Sequence, residues 1–283
     1  MAAFICSRRW LRASAACFAL IALLTAGSLE VKPMPSAFAA TGKKPVVLIY
    51  GDSLVWESTK FIKTGINSGD WTRHVFAVPT TAPCDWLQRL PADIAKYHPV
   101  EITLVTEGNS ATACMDDAHG VPLAYNSPDY LAKYRSDLSQ FFSIARETPI
   151  EFLEGAPIGD NANWNAAVTS VYGIAQDLSS SDLNVTTSNA ANRSVSNNGA
   201  YAQTLSCLPK ELTAKKDGCT NGQIDVRTST GPQAGVHLCP IGITYPGTHP
   251  CATNSNGKWT KVYSSGEVRY GAAIAAATVS DIP

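Results

Sequence analysis

The chain has 283 residues, of which 45% are hydrophobic and 16% charged, so it is long and apolar enough to bury a sizeable core. Its formal net charge is only −1. Such a balance argues against a polycation that binds nucleic acid or an anionic membrane surface. The sequence shows no internal repeat, linker or composition shift after residue 45, which predicts a single domain.

The first 39 residues are typical of a signal peptide. A basic segment at 7–12 precedes an apolar segment at 15–26, and Ala37 and Ala39 fit the small-x-small rule for cleavage. The apolar segment is too short to span a bilayer, although a retained membrane anchor is the alternative. We therefore predict a secreted protein, extracellular or periplasmic, with residues 40–283 as its mature domain and no stable membrane insertion. This domain has 18 basic and 22 acidic residues, a formal charge of −4.

Six cysteines follow residue 39, and an even count in an exported chain indicates disulfides. Local closure suggests the pairs Cys207–Cys219 and Cys239–Cys251, which leaves Cys84–Cys114, but the sequence alone leaves the connectivity open. A zinc site is the competing interpretation. No Cys-x-x-Cys or His-x-x-x-His pair supports it.

Short apolar runs alternate with helical segments along the chain. The five strand candidates are 46–50, 73–78, 101–106, 150–153 and 183–187. The helix candidates are 55–66, 86–97 (interrupted by Pro91), 128–147, 164–178 and 266–277. Residues 115–128 are predicted to form a loop, and residues 188–262 are predicted to be irregular. The alternation predicts an α/β fold with a parallel sheet covered by helices on both faces.

Residues with reactive side chains follow the ends of the predicted strands. Asp52 and Ser53 come directly after a β-branched-rich run that is typical of a strand buried on both faces. The loop 79–86 follows the second strand, and Gly108-Asn109 follows the third. We expect these loops to converge, because the carboxyl ends of parallel strands meet at one edge of a sheet. A serine there is a candidate nucleophile if a base is available, and a helix-capping serine otherwise.

Three short sequence motifs, two at these strand ends and one around His237, resemble those of the SGNH hydrolases, also called GDSL esterases and lipases. The string Gly51-Asp52-Ser53-Leu54 matches the first block of that family, with Ser53 at the nucleophile. Gly108-Asn109 matches the third block, whose asparagine amide donates to the oxyanion, and His237 matches the histidine of the last block, the general base. The resemblance covers most of the mature chain and implies a flavodoxin-like three-layer α/β/α sandwich.

The resemblance also implies a reaction. His237 would take the proton of Ser53 as the serine attacks an ester carbonyl, and would return it to the leaving alkoxide. The oxyanion would meet the Ser53 N–H, the Asn109 amide and a backbone N–H of the second loop, at Thr80 or Thr81. The expected substrates are small acyl esters, such as O-acetyl groups on polysaccharide or short-chain lipid esters. No metal or organic cofactor is implied.

Two positions depart from the family pattern. The family usually carries an aspartate three residues before its histidine, and here that position is Ala234. A backbone carbonyl or another carboxylate, such as Asp225, is a candidate replacement. The glycine of the second block is also absent, with Thr80 or Thr81 in its place.

Other functions stay open at this point. A non-catalytic carbohydrate-binding protein on a decayed scaffold would account for the departures, and an O-acyltransferase would use the same acyl-enzyme. Glu107 and Glu154, beside two predicted strand ends, are a candidate carboxylate pair for glycoside hydrolysis. That last hypothesis would leave Ser53 and Asn109 unexplained.

Overall fold

The computed structural model describes residues 43–159, 161–182, 184–213, 219–228, 234–238, 265–280 and 282. The predicted signal peptide and the predicted Cys239–Cys251 pair lie outside these residues.

A five-stranded parallel sheet forms the centre of the fold, in the order β2-β1-β3-β4-β5. The strands are β1 (Val46–Gly51), β2 (Thr72–Ala77), β3 (Glu101–Thr106), β4 (Ile150–Glu154) and β5 (Val185–Ser188). This is the strand order of flavodoxin-like folds. The predicted three-layer α/β/α architecture is therefore confirmed, with each strand within two residues of its predicted bounds.

Helices connect the strands and cover the sheet. They are α1 (Ser53–Gly65), α2 (Pro83–Leu87), α3 (Leu90–Tyr97), α4 (Pro128–Ala145), α5 (Ala162–Ser179), α6 (Ala190–Ser194), α7 (Pro209–Thr213) and α8 (Ser265–Ser280). The single helix predicted over 86–97 is wrong in one respect, because it is divided into α2 and α3. Pro91 lies in the first turn of α3, where its missing N–H breaks no helical hydrogen bond.

Each face of the sheet has its own hydrophobic core. Leu48 and Tyr50 of β1 pack into one core, beneath α4 and α5. Val47 and Ile49 pack into the other, beneath α1 and α8. Neighbouring residues of a strand point to opposite faces, so an unbroken apolar strand such as β1 serves both layers. The buried apolar residues of α4 lie in the first core and recur at helical spacing; they are Tyr130, Tyr134, Leu138, Phe141, Phe142 and Ala145.

The segment predicted to be irregular from residue 188 contains more structure than expected. Besides α6 and α7, it holds two hairpins, β6 (Ser196–Asn197) with β7 (Ala200–Tyr201), and β8 (Thr204–Ser206) with β9 (Gln223–Asp225). Strands of two or three residues are too short to show an alternating pattern. The first hairpin turns at Asn198-Gly199, where both φ angles are positive. Asn-Gly is a strong hairpin signal, and it could have located this turn.

Two predicted disulfides are present. Cys84–Cys114 has an S–S distance of 2.06 Å and joins α2 to the short 3₁₀ helix Ala113–Met115 after β3. Cys207–Cys219 is the second bridge. In the part of the chain that the structure describes, the one His/Cys/Asp/Glu cluster compact enough for a metal ion is Cys84, Asp85 and Cys114. The disulfide uses two of its three ligands, so this cluster does not support the zinc interpretation. None of the helices described is both long and apolar enough to cross a membrane.

Candidate active site

Ser53 is the first residue of α1, directly after the carboxyl end of β1, and is 7% exposed. The turn between strand and helix is tight: a Cβ on Gly51 would lie 2.3 Å from Val55 Cγ2. Asp52 caps the helix, since its Oδ1 accepts a hydrogen bond from Leu54 N at 3.3 Å. The capping side chain is thus Asp52 and not Ser53.

The same aspartate connects the nucleophile loop to the loop after β3. Asp52 Oδ2 accepts hydrogen bonds from Glu107 N at 2.7 Å and from Asn109 Nδ2 at 3.2 Å. Asn109 Nδ2 also lies 3.3 Å from Thr81 O, in the loop after β2. The predicted convergence of three strand-end loops is therefore observed.

Two tyrosines of α4 fix the loop that carries Asn109. Tyr130 Oη donates to Gly108 O at 2.6 Å, and Tyr134 Oη donates to Asn109 O at 2.7 Å. Gly108 has a φ of +74°, and a Cβ there would lie 2.7 Å from Tyr130 Oη. Both the conformation and the close approach require glycine at position 108. The amide of Asn109 is held in place by this backbone.

Thr80 lies in the exposed turn after β2 and has a φ of +66°. Its Oγ1 donates to Pro79 O at 2.7 Å. The left-handed conformation is one that glycine favours. The SGNH pattern expects one glycine in this loop, and Thr80 and Thr81 are the two candidates for its position. The role of its backbone N–H as an oxyanion donor stays a prediction.

Replacement of Thr80 by glycine should stabilise the protein. A left-handed conformation costs an L-residue about 1–2 kcal/mol, and glycine avoids this cost while losing more entropy on folding. We expect Thr80→Gly to raise the free energy of unfolding in urea by about 0.5–1 kcal/mol. Asn198→Gly is the matched control, since Asn198 has a φ of +52° but belongs to a residue type that tolerates it. A gain no larger than the control's would contradict the prediction.

His237 is 4% exposed and is held against α1. Its Nδ1 is in contact with Glu57 Oε1, and the next backbone amide, Leu238 N, donates to Glu57 Oε2 at 2.8 Å. Glu57 lies one helical turn after Ser53, so the structure brings the predicted base to the helix that begins at the predicted nucleophile. Asp225, the candidate replacement named from the sequence, is exposed on β9; that suggestion is wrong.

The sequence did not identify Glu57, which is 180 residues from its histidine. The one available signal was its position four residues after Ser53 on a predicted helix, which places both side chains on one helix face.

Arg227 fixes the loop 234–238 that carries His237. Its side chain is fully buried; Nη1 donates to Val236 O at 3.0 Å and Nη2 to Pro157 O at 2.8 Å. The backbone of the same loop is tied further by Gly159 N, which donates to Gly235 O at 2.9 Å. The histidine is thus presented by an anchored loop.

The site contains several buried carboxyl groups. Glu107 is 1% exposed, and its Oε2 lies 3.4 Å from Ser53 Oγ. Burial raises the pKa of Glu107 well above its usual value, and the carboxyl groups of Asp52 and Glu57 raise it further, against the opposing effect of Arg227. Burial also raises the pKa of Asp52 to about 7, despite its two backbone donors.

The proposed glycoside-hydrolase pair is divided between two environments. Glu107 contacts the nucleophile, whereas Glu154 interacts with Asn192 and Arg193 of α6. Burial raises the pKa of Glu154, and those two neighbours lower it. Glu107 therefore belongs to the serine site.

Comparisons with known proteins give matches among solved structures alone: neither a protein-family model nor a curated protein matches the chain. A lipase/acylhydrolase from Enterococcus faecalis matches with a TM-score of 0.39 and 13% identity, over 51% of this chain and 75% of that one. A catalytic mutant of Axe2, an acetylxylan esterase from Geobacillus stearothermophilus, matches with a TM-score of 0.41 and 10% identity, over 54% of this chain and 78% of that one. LAE5, an alpha/beta hydrolase enzyme from the metagenome of Lake Arreo, matches with a TM-score of 0.42 and 8% identity, over 53% of this chain and 78% of that one. At these TM-scores and identities, the substrates of those enzymes are not transferred to this chain.

Proposed function

We propose that this chain is a secreted serine esterase of the SGNH type, which hydrolyses small acyl esters through an acyl-enzyme on Ser53. One observation carries the proposal: α1 begins at a buried serine and also holds a buried histidine, and an asparagine amide is tied to the residue just before this helix. His237 is held to that helix by Glu57, and Asn109 is tied to the nucleophile loop by Asp52.

The proposed reaction has two halves. His237 takes the proton of Ser53 as Oγ bonds to the ester carbonyl carbon, and returns it to the leaving alkoxide when the ester bond breaks. Water then attacks the acyl-enzyme with the histidine again as base, which frees the acid and the serine. The oxyanion of each half is stabilised by the Asn109 amide and by backbone N–H groups at the N-terminus of α1.

Two features support export and small substrates. The signal-like first 39 residues and the two disulfides are typical of a secreted chain. The mature sequence has no long apolar lid segment, which favours soluble acyl esters, such as O-acetyl groups on carbohydrate, over an oil–water interface. The missing aspartate at Ala234 and the missing glycine of the second block were the reasons to suspect a decayed, carbohydrate-binding scaffold, and the contact of Glu57 with His237 weakens the first of them.

Hydrolysis of p-nitrophenyl acetate and butyrate by the oxidised mature protein tests this function. We expect Ser53→Ala and His237→Ala each to lower kcat/KM by about 10³-fold or more, because either change removes the nucleophile–base pair. Ser194→Ala and His119→Ala, on α6 and in an exposed loop, are matched controls that should keep full activity.

Wild-type hydrolysis no faster than that of Ser53→Ala would overturn the simple esterase. A fluorophosphonate probe then separates the remaining functions. Labelling of Ser53 without hydrolysis would favour an O-acyltransferase that needs its own acceptor, and no labelling would favour a binding protein.

A further inference from the structure

We propose that Glu57 is the positioning residue for His237, in place of the aspartate that SGNH hydrolases usually carry three residues before the histidine. The nucleophile and the orienting acid then lie on one helix, and the base alone comes from a loop. This inference rests on the proposed function, because it assigns a role within the same site.

Glu57 holds the histidine at two points. One carboxylate oxygen contacts Nδ1 of the ring, and the other accepts a hydrogen bond from Leu238 N at 2.8 Å. The first contact sets the orientation of the ring, and the second fixes the backbone next to it. The side chain of Glu57 is fully buried and that of His237 is 5% exposed, so water does not screen these contacts.

The helix determines where this acid lies relative to the nucleophile. Ser53 and Glu57 are four residues apart, a spacing that places both side chains on one face of α1. Both are buried, and the helix packs against the sheet and against α8. The arrangement of nucleophile and acid is therefore built into one rigid element, onto which the His237 loop docks.

Glu57 has several buried carboxyl groups as neighbours. Burial raises the pKa of its neighbours Asp52, Glu107 and Glu267, and the Glu57 charge raises each further. Among the described residues, Arg227 and Lys60 are the cationic groups that act on this cluster.

A charged Glu57 defines the protonation state of the base. It keeps the proton of neutral His237 on Nδ1, so the lone pair of Nε2 is available for the serine proton. It also stabilises the imidazolium that forms when that proton arrives. The family's usual position cannot do this here, because residue 234 is an exposed alanine.

The test compares Glu57→Gln and Glu57→Asp with wild type in p-nitrophenyl acetate hydrolysis. We expect Glu57→Gln to lower kcat by about 10²–10⁴-fold, with KM changed by less than about threefold, and Glu57→Asp to recover part of the loss. The acidic limb of kcat/KM against pH should move to lower pH in Glu57→Gln, since the imidazolium loses its counter-charge. A merely structural residue would not move that limb.

Glu211→Gln is the matched control. Glu211 is also a fully buried glutamate, but it pairs with Arg269 on α8. Its loss should reduce stability and leave kcat and the pH limb unchanged. The inference is overturned if Glu57→Gln keeps kcat within about twofold of wild type, or if its acidic limb coincides with the wild-type limb.

A second measurement does not depend on whether a Glu57 variant folds. The proton NMR spectrum of the wild type should contain a far-downfield Nδ1–H resonance at low pH that is missing in His237→Ala. Its absence at every pH would also overturn the inference. Failure of the proposed function gives a different result, because Ser53→Ala would then be as active as wild type. An active Glu57→Gln variant beside an inactive Ser53→Ala variant would refute only the role of Glu57.

Discussion

Replacement of Asn109 by alanine should lower kcat for p-nitrophenyl acetate by about 10²–10³-fold, with KM changed by less than about threefold. The amide is buried, and its loop is fixed by hydrogen bonds from Tyr130 and Tyr134. A donor held in this way needs no reorganisation when negative charge develops on the substrate oxygen. Removal of one such donor costs a large part of the transition-state stabilisation.

The partners of the amide explain why kcat should carry the effect. Asn109 Nδ2 lies 3.2 Å from Asp52 Oδ2 and 3.3 Å from Thr81 O. Both contacts are long for hydrogen bonds that involve N–H donors. A developing oxyanion is a stronger acceptor than the neutral carbonyl of Thr81, and we expect it to take that hydrogen while Asp52 keeps the other. The gain arises only in the transition state, so substrate binding is little affected.

Asn192→Ala separates this effect from general damage to the fold. Asn192 is 2% exposed on α6 and accepts a hydrogen bond from Ser196 Oγ at 2.7 Å. Its truncation should lower the free energy of unfolding and leave kcat unchanged. The oxyanion role would be refuted if Asn109→Ala raised KM at constant kcat, or if the two asparagine variants lost the same fraction of kcat.

The fold could be predicted from the sequence because its signals are local. The apolar run of β1 is continuous, β3 is rich in β-branched residues, and a glycine or a polar turn ends each strand. Strand-end loops of a parallel sheet lie at one edge, so the sequence alone predicts that the loops of Asp52 and Asn109 are close together. The strands of the short hairpins after residue 188 show no such pattern, because each has only two or three residues, although Asn198-Gly199 marks the turn of the first hairpin.

The carboxylate that contacts His237 could not be predicted in the same way. Its contact with Glu57 joins residues 180 apart, and it depends on how the loop 234–238 lies against α1. Ala234 pointed to a missing acid, and Asp225 was the nearest carboxylate along the chain. In the structure, the carboxylate in contact with His237 belongs to Glu57, which is far from it in the sequence. Pairing of buried charges is a property of the packed fold and has no local pattern.

Replacement of Glu267 by glutamine should stabilise the protein at alkaline pH and have little effect near pH 4. Glu267 is 6% exposed in the first turn of α8. Burial, and to a lesser extent the charge of Glu57, raises the pKa of Glu267 to about 9. Between its ordinary value of 4.5 and that pKa, the folded protein binds a proton that the unfolded chain releases. Stability is therefore greatest below pH 4.5 and falls as the pH rises to 9.

Urea unfolding of wild type and Glu267→Gln across pH 4–9 measures this contribution. Each unit of pKa shift corresponds to about 1.4 kcal/mol, so the advantage of the glutamine variant should reach several kcal/mol at pH 9. Glu147→Gln is the control, because the Glu147 side chain is 88% exposed; its difference from wild type should not change with pH. A pH-independent difference for Glu267→Gln would show that Glu267 ionises normally.

The outcome also bears on the site, because Glu267 faces Glu57. A neutral Glu267 at pH 7 would leave Glu57 as the charged acid on this side of α1, as the orientation of His237 requires. An ionised Glu267 would place a second negative charge against it. The fold would then bury two negative charges close together, Glu57 on α1 and Glu267 on α8. Protonation of Glu267 avoids this repulsion.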